Sequence, residues 1–245
     1  MTDSISLDQI AARLEALEET IIMRFIDRAQ FAANSVAYER GRSGFSGAGD
    51  RSLFEVRLEA QERMDAEFGR YEVPEERPVN ATLPAPRRTV HLPPSPLQIS
   101  DYSIVSQSPA IRDAYLGCLS ELCAAGDDGQ YGSSVELDVY AIQAIARRVH
   151  FGALYVAEAK YRSNPVAYHE AAGSRDTERL TAMLTRSEVE QRIIDRLEKK
   201  VAYLQQHVNT DVRRVIGAEV IVTFYRKSVI PLTKRGQVAY LLERR

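Results

Sequence analysis

Long apolar runs are missing from this chain of 245 residues, and that absence is the first constraint on it. A helix that spans a bilayer needs about 20 consecutive apolar residues, and no stretch approaches that. The start, MTDSISLDQIAARLEALEE, also lacks the basic and then apolar order of a secretory signal, so the expected location is cytoplasmic. Cysteine is scarce. Cys118 and Cys123 are the only two, and their spacing in a predicted helix points them to different sides, so free thiols are expected. The four histidines, His91, His150, His169 and His207, are scattered without ligand spacing, so a metal enzyme is not expected. An excess of either charge is lacking as well. The net charge of −2 gives the chain no electrostatic reason to seek nucleic acid or an anionic membrane, so any positive site must be local. No glycine-rich loop offers a phosphate cradle, and no grouping of cysteine, histidine and acid points to covalent catalysis.

What is present describes a globular chain: 44% of residues are hydrophobic and 27% charged, enough for a sizeable core in one domain over 1–245. Ile10, Leu14, Leu17, Ile21 and Phe25 recur at helical intervals and predict a long amphipathic helix from Leu7 to about Tyr38. After a loop rich in glycine and serine, Leu53, Leu58, Met64 and Phe68 support a second helix ending near Tyr71. Residues 74–97 hold seven of the ten prolines, which remove backbone donors and fix φ, so this segment is an extended connection.

Further helices follow over 108–124, from a capping box at Ser133 and Glu136 to about Tyr161, from Asn164-Pro165 to Gly173, and over 175–184. Capping boxes at Thr185 with Glu188, or Ser187 with Glu190, open one more, reaching about His207. A last helical run over 218–243 contains Pro231, which should kink or divide it. Only AEVIVTFY is ambiguous, because its β-branched residues also suit a strand. The fold expected is an all-α, single-domain helical bundle with a long central helix and a proline-kinked C-terminal helix.

Polar groups inside otherwise apolar helices are the informative positions, because buried polar groups need partners and partners are often ligands. Arg147, Arg148 and Lys160 lie within RRVHFGALYVAEAKY. Arg186 and Glu190 are one helical turn apart, as are Thr233 and Gln237, and the first helix carries Arg13 and Arg24. Several cations with few carboxylates suit a small dianion, since Arg and Lys give charge-assisted hydrogen bonds to carboxylates. The alternatives are a surface pair between Arg186 and Glu190 and an Arg147 that reaches solvent.

Four segments in order then bring a resemblance: LEETIIMRFIDRAQF, YGSSVELDVYAIQAIARRVHFG with VAEAKY, SEVEQRIIDRLEKK, and FYRKSVIPLTKRGQVAYLLERR. Over nearly its whole length the chain resembles the eukaryotic-type chorismate mutases of the all-helical AroQ class, known from fungi and plants. The resemblance implies an isomerase of the shikimate pathway, converting chorismate to prephenate in aromatic amino acid biosynthesis, with no cofactor and as a homodimer. It matches Arg148 to the arginine that grips a substrate carboxylate and Lys160 to the lysine that donates to the ether oxygen and a carboxylate. Glu190 matches the carboxylate that holds the substrate hydroxyl, and Thr233 another pocket residue. Gln237 stands where fungal relatives carry a glutamate that must be protonated to donate to the ether oxygen, so a less acidic optimum is expected.

Departures from the family pattern shape further expectations. Ala11 stands where the family places a carboxylate-binding arginine, and Arg13 lies about 200° further around the helix. Arg186 replaces an asparagine and is expected to supply the missing cation as a substrate-binding residue, with Arg147 beside Arg148. One extra residue in HFGALYVAEAK turns Lys160 by about 100° relative to Arg148, and a π-bulge at Gly152 would restore the shared face. Gly132 and Ser133 match part of the family's tyrosine and tryptophan effector region and Arg70 one of its two arginines, while Gly69 replaces the second and Glu136 a threonine. The altered pocket leaves two alternatives to chorismate rearrangement: an enzyme acting on an amino-chorismate or isochorismate in secondary metabolism, or a relative that binds chorismate or a partner without catalysis.

Overall fold

The computed structural model describes residues 6–245; residues 1–5, the opening of the stretch read for a signal, lie outside the described residues. Among the described residues all regular structure is helical, apart from one isolated bridge between Ala32 and Ala124. The first helix, α1 (Leu7–Arg28), opens on a capping box in which the Ser6 hydroxyl accepts from the Gln9 amide and the Gln9 side chain from the Ser6 amide. It ends at Arg28 and does not continue to Tyr38. The Arg28 guanidinium folds forward to donate to the carbonyls of Phe31, Ala32 and Ala33, and Asn34 adopts a left-handed conformation with φ of 53°. Only a short 3₁₀ turn, Ser35–Tyr38, follows.

Arg28 is fully buried against Asp138, with Nε 2.8 Å from Oδ1, and Asp138 also accepts from the hydroxyls of Tyr38 and Tyr115. Helix α2 (Leu53–Glu67) opens on a second capping box, Ser52 with Glu55. Leu58 packs inward from it, whereas Met64 and Phe68 face solvent. The 74–97 segment is extended as expected. Its backbone finds partners on α2: the Glu62 carboxylate accepts from the amides of Val79 and Asn80, and the Glu67 carbonyl from Arg87.

Helix α3 (Ser108–Leu122) leads to the central helix, α4 (Tyr131–Phe151), continued by a π turn (Gly152–Val156) and α5 (Ala157–Ser163). The expected capping box at Ser133 does not form. Asp128 accepts from the Gln130 amide and starts the helix earlier, leaving Ser133 exposed in its first turn. Val135, Val139, Ile142, Ile145 and Val149 recur at helical spacing and are buried against α1, α2 and α3. Each such side chain contributes about 1.5–3 kcal/mol relative to exposure.

Asn164 caps α6 (Pro165–Gly173), and α7 (Thr177–Leu184) follows. Neither expected box opens α8 (Ser187–Leu204): the Thr185 hydroxyl turns back to the Thr181 carbonyl, and Arg186 occupies the cap through its backbone alone. AEVIVTFY is helical, forming α9 (Ala218–Phe224) and entering a second π turn, Tyr225–Val229, before α10 (Ile230–Glu243). Pro231 therefore does not divide the helical path. The π turn immediately before it shifts the hydrogen-bond register, which relieves the missing donor and the ring clash. No described helix is long and apolar enough to cross a membrane.

Candidate active site

Where α1, the central helix, α8 and α10 converge they leave a cavity of about 650 Å³. Its wall includes Arg148, Gly152 and Lys160 from the central helix, Thr233, Lys234 and Gln237 from α10, and Arg186 and Glu190 from the start of α8. The π turn is what brings Arg148 and Lys160 together. Twelve residues on an unbroken α-helix would leave them about 120° apart, and the extra residue held in Gly152–Val156 takes up most of that rotation.

Gly152 is also where α10 comes closest. A Cβ there would lie 2.9 Å from Thr233 Cγ2 and 3.8 Å from an Arg148 terminal nitrogen, so only glycine admits this approach. Arg148 is buried, donates from Nη1 to Thr233 Oγ1 at 3.1 Å, and lies over the Tyr225 ring at 5.6 Å. The Thr233 hydroxyl proton is committed to the Val229 carbonyl at 2.7 Å, so toward Arg148 this oxygen can only accept. Arg148 Nε is buried without a protein partner, which leaves the guanidinium with donor capacity for a ligand carboxylate.

Lys160 donates to the Leu184 carbonyl at 2.5 Å. Burial pushes its ammonium down to about 8, helped by Arg186 and Lys234 and opposed by Glu190. Gln237 is buried and donates from Nε2 to the Gly152 carbonyl at 3.1 Å. That acceptor fixes which end of the amide is nitrogen, and the second N–H remains for a ligand acceptor. Glu190 forms an ion pair with Lys234 at 2.8 Å. Arg196, also on the wall, is held by both oxygens of the buried Glu18.

Of the residues expected here, Arg148, Lys160, Arg186, Glu190, Thr233 and Gln237 line one cavity, with Ala11 on its α1 side. Arg147 does not. It is half exposed and pairs with Glu76 at 3.3 Å, because consecutive helical residues point about 100° apart; its assignment as a substrate-binding residue is corrected accordingly. Arg13 lies over the Phe151 ring and Arg24 over Tyr140, so neither stands in for the cation absent at Ala11.

The effector-region residues are not gathered into one site within this chain. Gly132 and Ser133 are exposed at the start of α4, whereas Arg70 binds Asp65, Glu76 and Gln143, about 15 Å further along that helix. Gly69, at φ of 80°, packs under Val90, and a Cβ there would run into it. Sequence reasoning missed Lys234 and Arg196. Lys234 was within reach of it, since it lies three residues from Gln237 and shares its face.

A helical bundle with a cavity that gathers Arg148, Lys160 and Arg186 with the neutral amide of Gln237 has the form of a small-molecule-binding protein. The comparisons with known proteins give that class its family. No family model matches the chain. The chain is 34% identical over 251 residues to the chloroplastic chorismate mutase 1 of Zea mays, covering 99% of this chain and 80% of that protein. It is 33% identical over 252 residues to the cytosolic chorismate mutase 2 of the same plant, covering 99% and 97%. The crystal structure of a chorismate mutase from Candida albicans, in complex with L-Trp, superposes with a TM-score of 0.87 at 31% identity, covering 98% of this chain and 92% of that one. The chain belongs to the chorismate mutase family.

Proposed function

We propose that this protein is an isomerase that converts chorismate to prephenate. In this Claisen rearrangement the ether C–O bond breaks while a C–C bond forms within one molecule, and no atom or proton is gained or lost. The enzyme therefore needs no nucleophile. Its work is to hold a flexible dianion in the reactive shape and to stabilise the negative charge that grows on the ether oxygen.

The observation that carries the reading is the meeting of Arg148 and Lys160 across the π turn, with the Gln237 amide beside them. In this reading Arg148, oriented by Thr233, grips one carboxylate. Lys160 and the free N–H of Gln237 donate to the ether oxygen, Glu190 accepts from the substrate hydroxyl, and Arg186 meets the second carboxylate. Loss of chorismate absorbance with identification of the product tests it. Prephenate formed at a rate abolished by Lys160→Met supports the assignment; another product, or binding without turnover, overturns it.

Two wider features belong to the same reading. The protein acts in the cytoplasm, as the cytosolic maize relative is named to do, and it works as a homodimer. Met64 and Phe68, 50% and 70% exposed on the outer side of α2, offer apolar surface suited to a second copy. A mass of one chain by sedimentation at micromolar concentration would refute the dimer.

A further inference from the structure

The Glu190 carboxylate is the one acidic group assigned to a substrate contact, and it is not free. Lys234 Nζ stands 2.8 Å from its Oε1, and Lys160 and Arg186 lie close enough for their charges to bear on one another. Glu190 comes from the first turn of α8 and Lys234 from the second turn of α10, so the pair bridges two walls of the cavity. Charge balance then sets what this corner accepts. Glu190 and Lys234 cancel, and a carboxylate has a second oxygen with which to take a further donor. A neutral hydroxyl that uses it leaves the corner neutral. An ammonium in the same place brings a second cation onto a carboxylate already paired, with Lys160 and Arg186 adding repulsion, and Glu15 and Glu18 on the same wall are themselves paired with Arg196.

We propose that Lys234 is the residue that selects a hydroxyl-bearing substrate and rejects an otherwise matching one that carries an ammonium at that position. The inference rests on the chorismate mutase reading, through the role given there to Glu190. Lys234 works in two ways: it positions the Glu190 carboxylate, and it cancels the charge that would attract an amine. This is discrimination by a built-in repulsion added to the attractive contact. Like charges a few ångströms apart in a half-buried site give roughly 10- to 100-fold selectivity.

The test compares chorismate with its analogue bearing an amine in place of the ring hydroxyl, at neutral pH, in the wild type, Lys234→Gln and Lys234→Arg. The readouts are kcat/KM for each substrate, or the Ki of the amino analogue against prephenate formation where it is not turned over. Lys234→Gln is expected to narrow the preference for the hydroxyl substrate tenfold or more, chiefly through tighter use of the amine, while Lys234→Arg keeps the preference. Loss of the same factor on both compounds, or an unmoved ratio, overturns the inference. If Lys234→Gln does not fold, the ratio in Lys234→Met replaces it. Wild type that makes prephenate with no Lys234-dependent ratio sinks this inference alone, whereas wild type that makes none sinks the functional reading and this inference with it.

Discussion

Gln237 donates an amide hydrogen to the carbonyl of Gly152, the first residue of the π turn, at 3.1 Å. The turn that aligns Arg148 with Lys160 thus also orients the neutral donor beside them. In Gln237→Glu the carboxyl has a donor only while it is protonated, and then a single one, which serves either the Gly152 carbonyl or the ether oxygen; once ionised, it faces a carbonyl oxygen and a growing negative charge. The variant is expected to lose activity as pH rises through its carboxyl pKa, while the wild type stays level from about pH 5 to 7.5. Superimposable pH profiles of kcat for the two proteins would refute the assignment.

Lys160 sets the opposite limb. Burial, then Arg186 and Lys234, hold its ammonium down to about 8, so the free enzyme carries the needed cation below that pH and loses it above. kcat/KM should fall about tenfold per pH unit above 8, whereas kcat holds to higher pH because the bound dianion favours the charged form. The same shift has a sign for stability. A lysine whose folded pKa lies below its unfolded one costs stability in full below the folded value, and the cost fades as pH rises toward the unfolded value. Lys160→Met should therefore raise the Tm of the empty protein at pH 7 while abolishing turnover, and a lowered Tm would count against this account.

Arg186 sits at the N-cap of α8 without a capping side chain. Asparagine there would accept from the free amides of the first turn, worth about 0.5–2 kcal/mol. Arg186→Asn should accordingly stabilise the fold and, by removing the cation that replaces the one absent at Ala11, raise KM for chorismate on the order of 10- to 100-fold. A more stable protein with unchanged KM would show that the pocket does not use Arg186.

The helix faces and the extended 74–97 segment were legible in the sequence, because each is a matter of local periodicity or of composition. The π turn was legible only through the resemblance, whose pattern is one residue shorter between Arg148 and Lys160, and Gly152–Val156 holds the extra residue. Helix starts were less legible. Three matching capping-box patterns fail, while Ser6 with Gln9 and Ser52 with Glu55 close, since a cap forms where the chain reverses and the reversal is fixed by distant contacts such as that between Asn34 and Asp128. The ion pair of Glu190 with Lys234 joins two helices, so no spacing within either one announces it.

Gly152 gives the sharpest check on the packing that builds the site. A methyl group at this position meets Thr233 Cγ2 at 2.9 Å, and Thr233 cannot rotate away without giving up Arg148 or the Val229 carbonyl. Gly152→Ala should therefore push α10 outward, loosen the grip of Thr233 on Arg148 and lower kcat/KM by about 10- to 100-fold. Thr233→Ser removes the offending methyl group and keeps the hydroxyl, so the double variant should recover most of the lost activity. It should also be more stable than Thr233→Ser alone, since alanine in a helix is favoured over glycine by about 0.5–1 kcal/mol. A double variant as impaired as Gly152→Ala would mean that Gly152 is required for the conformation of the π turn and not for the approach of Thr233.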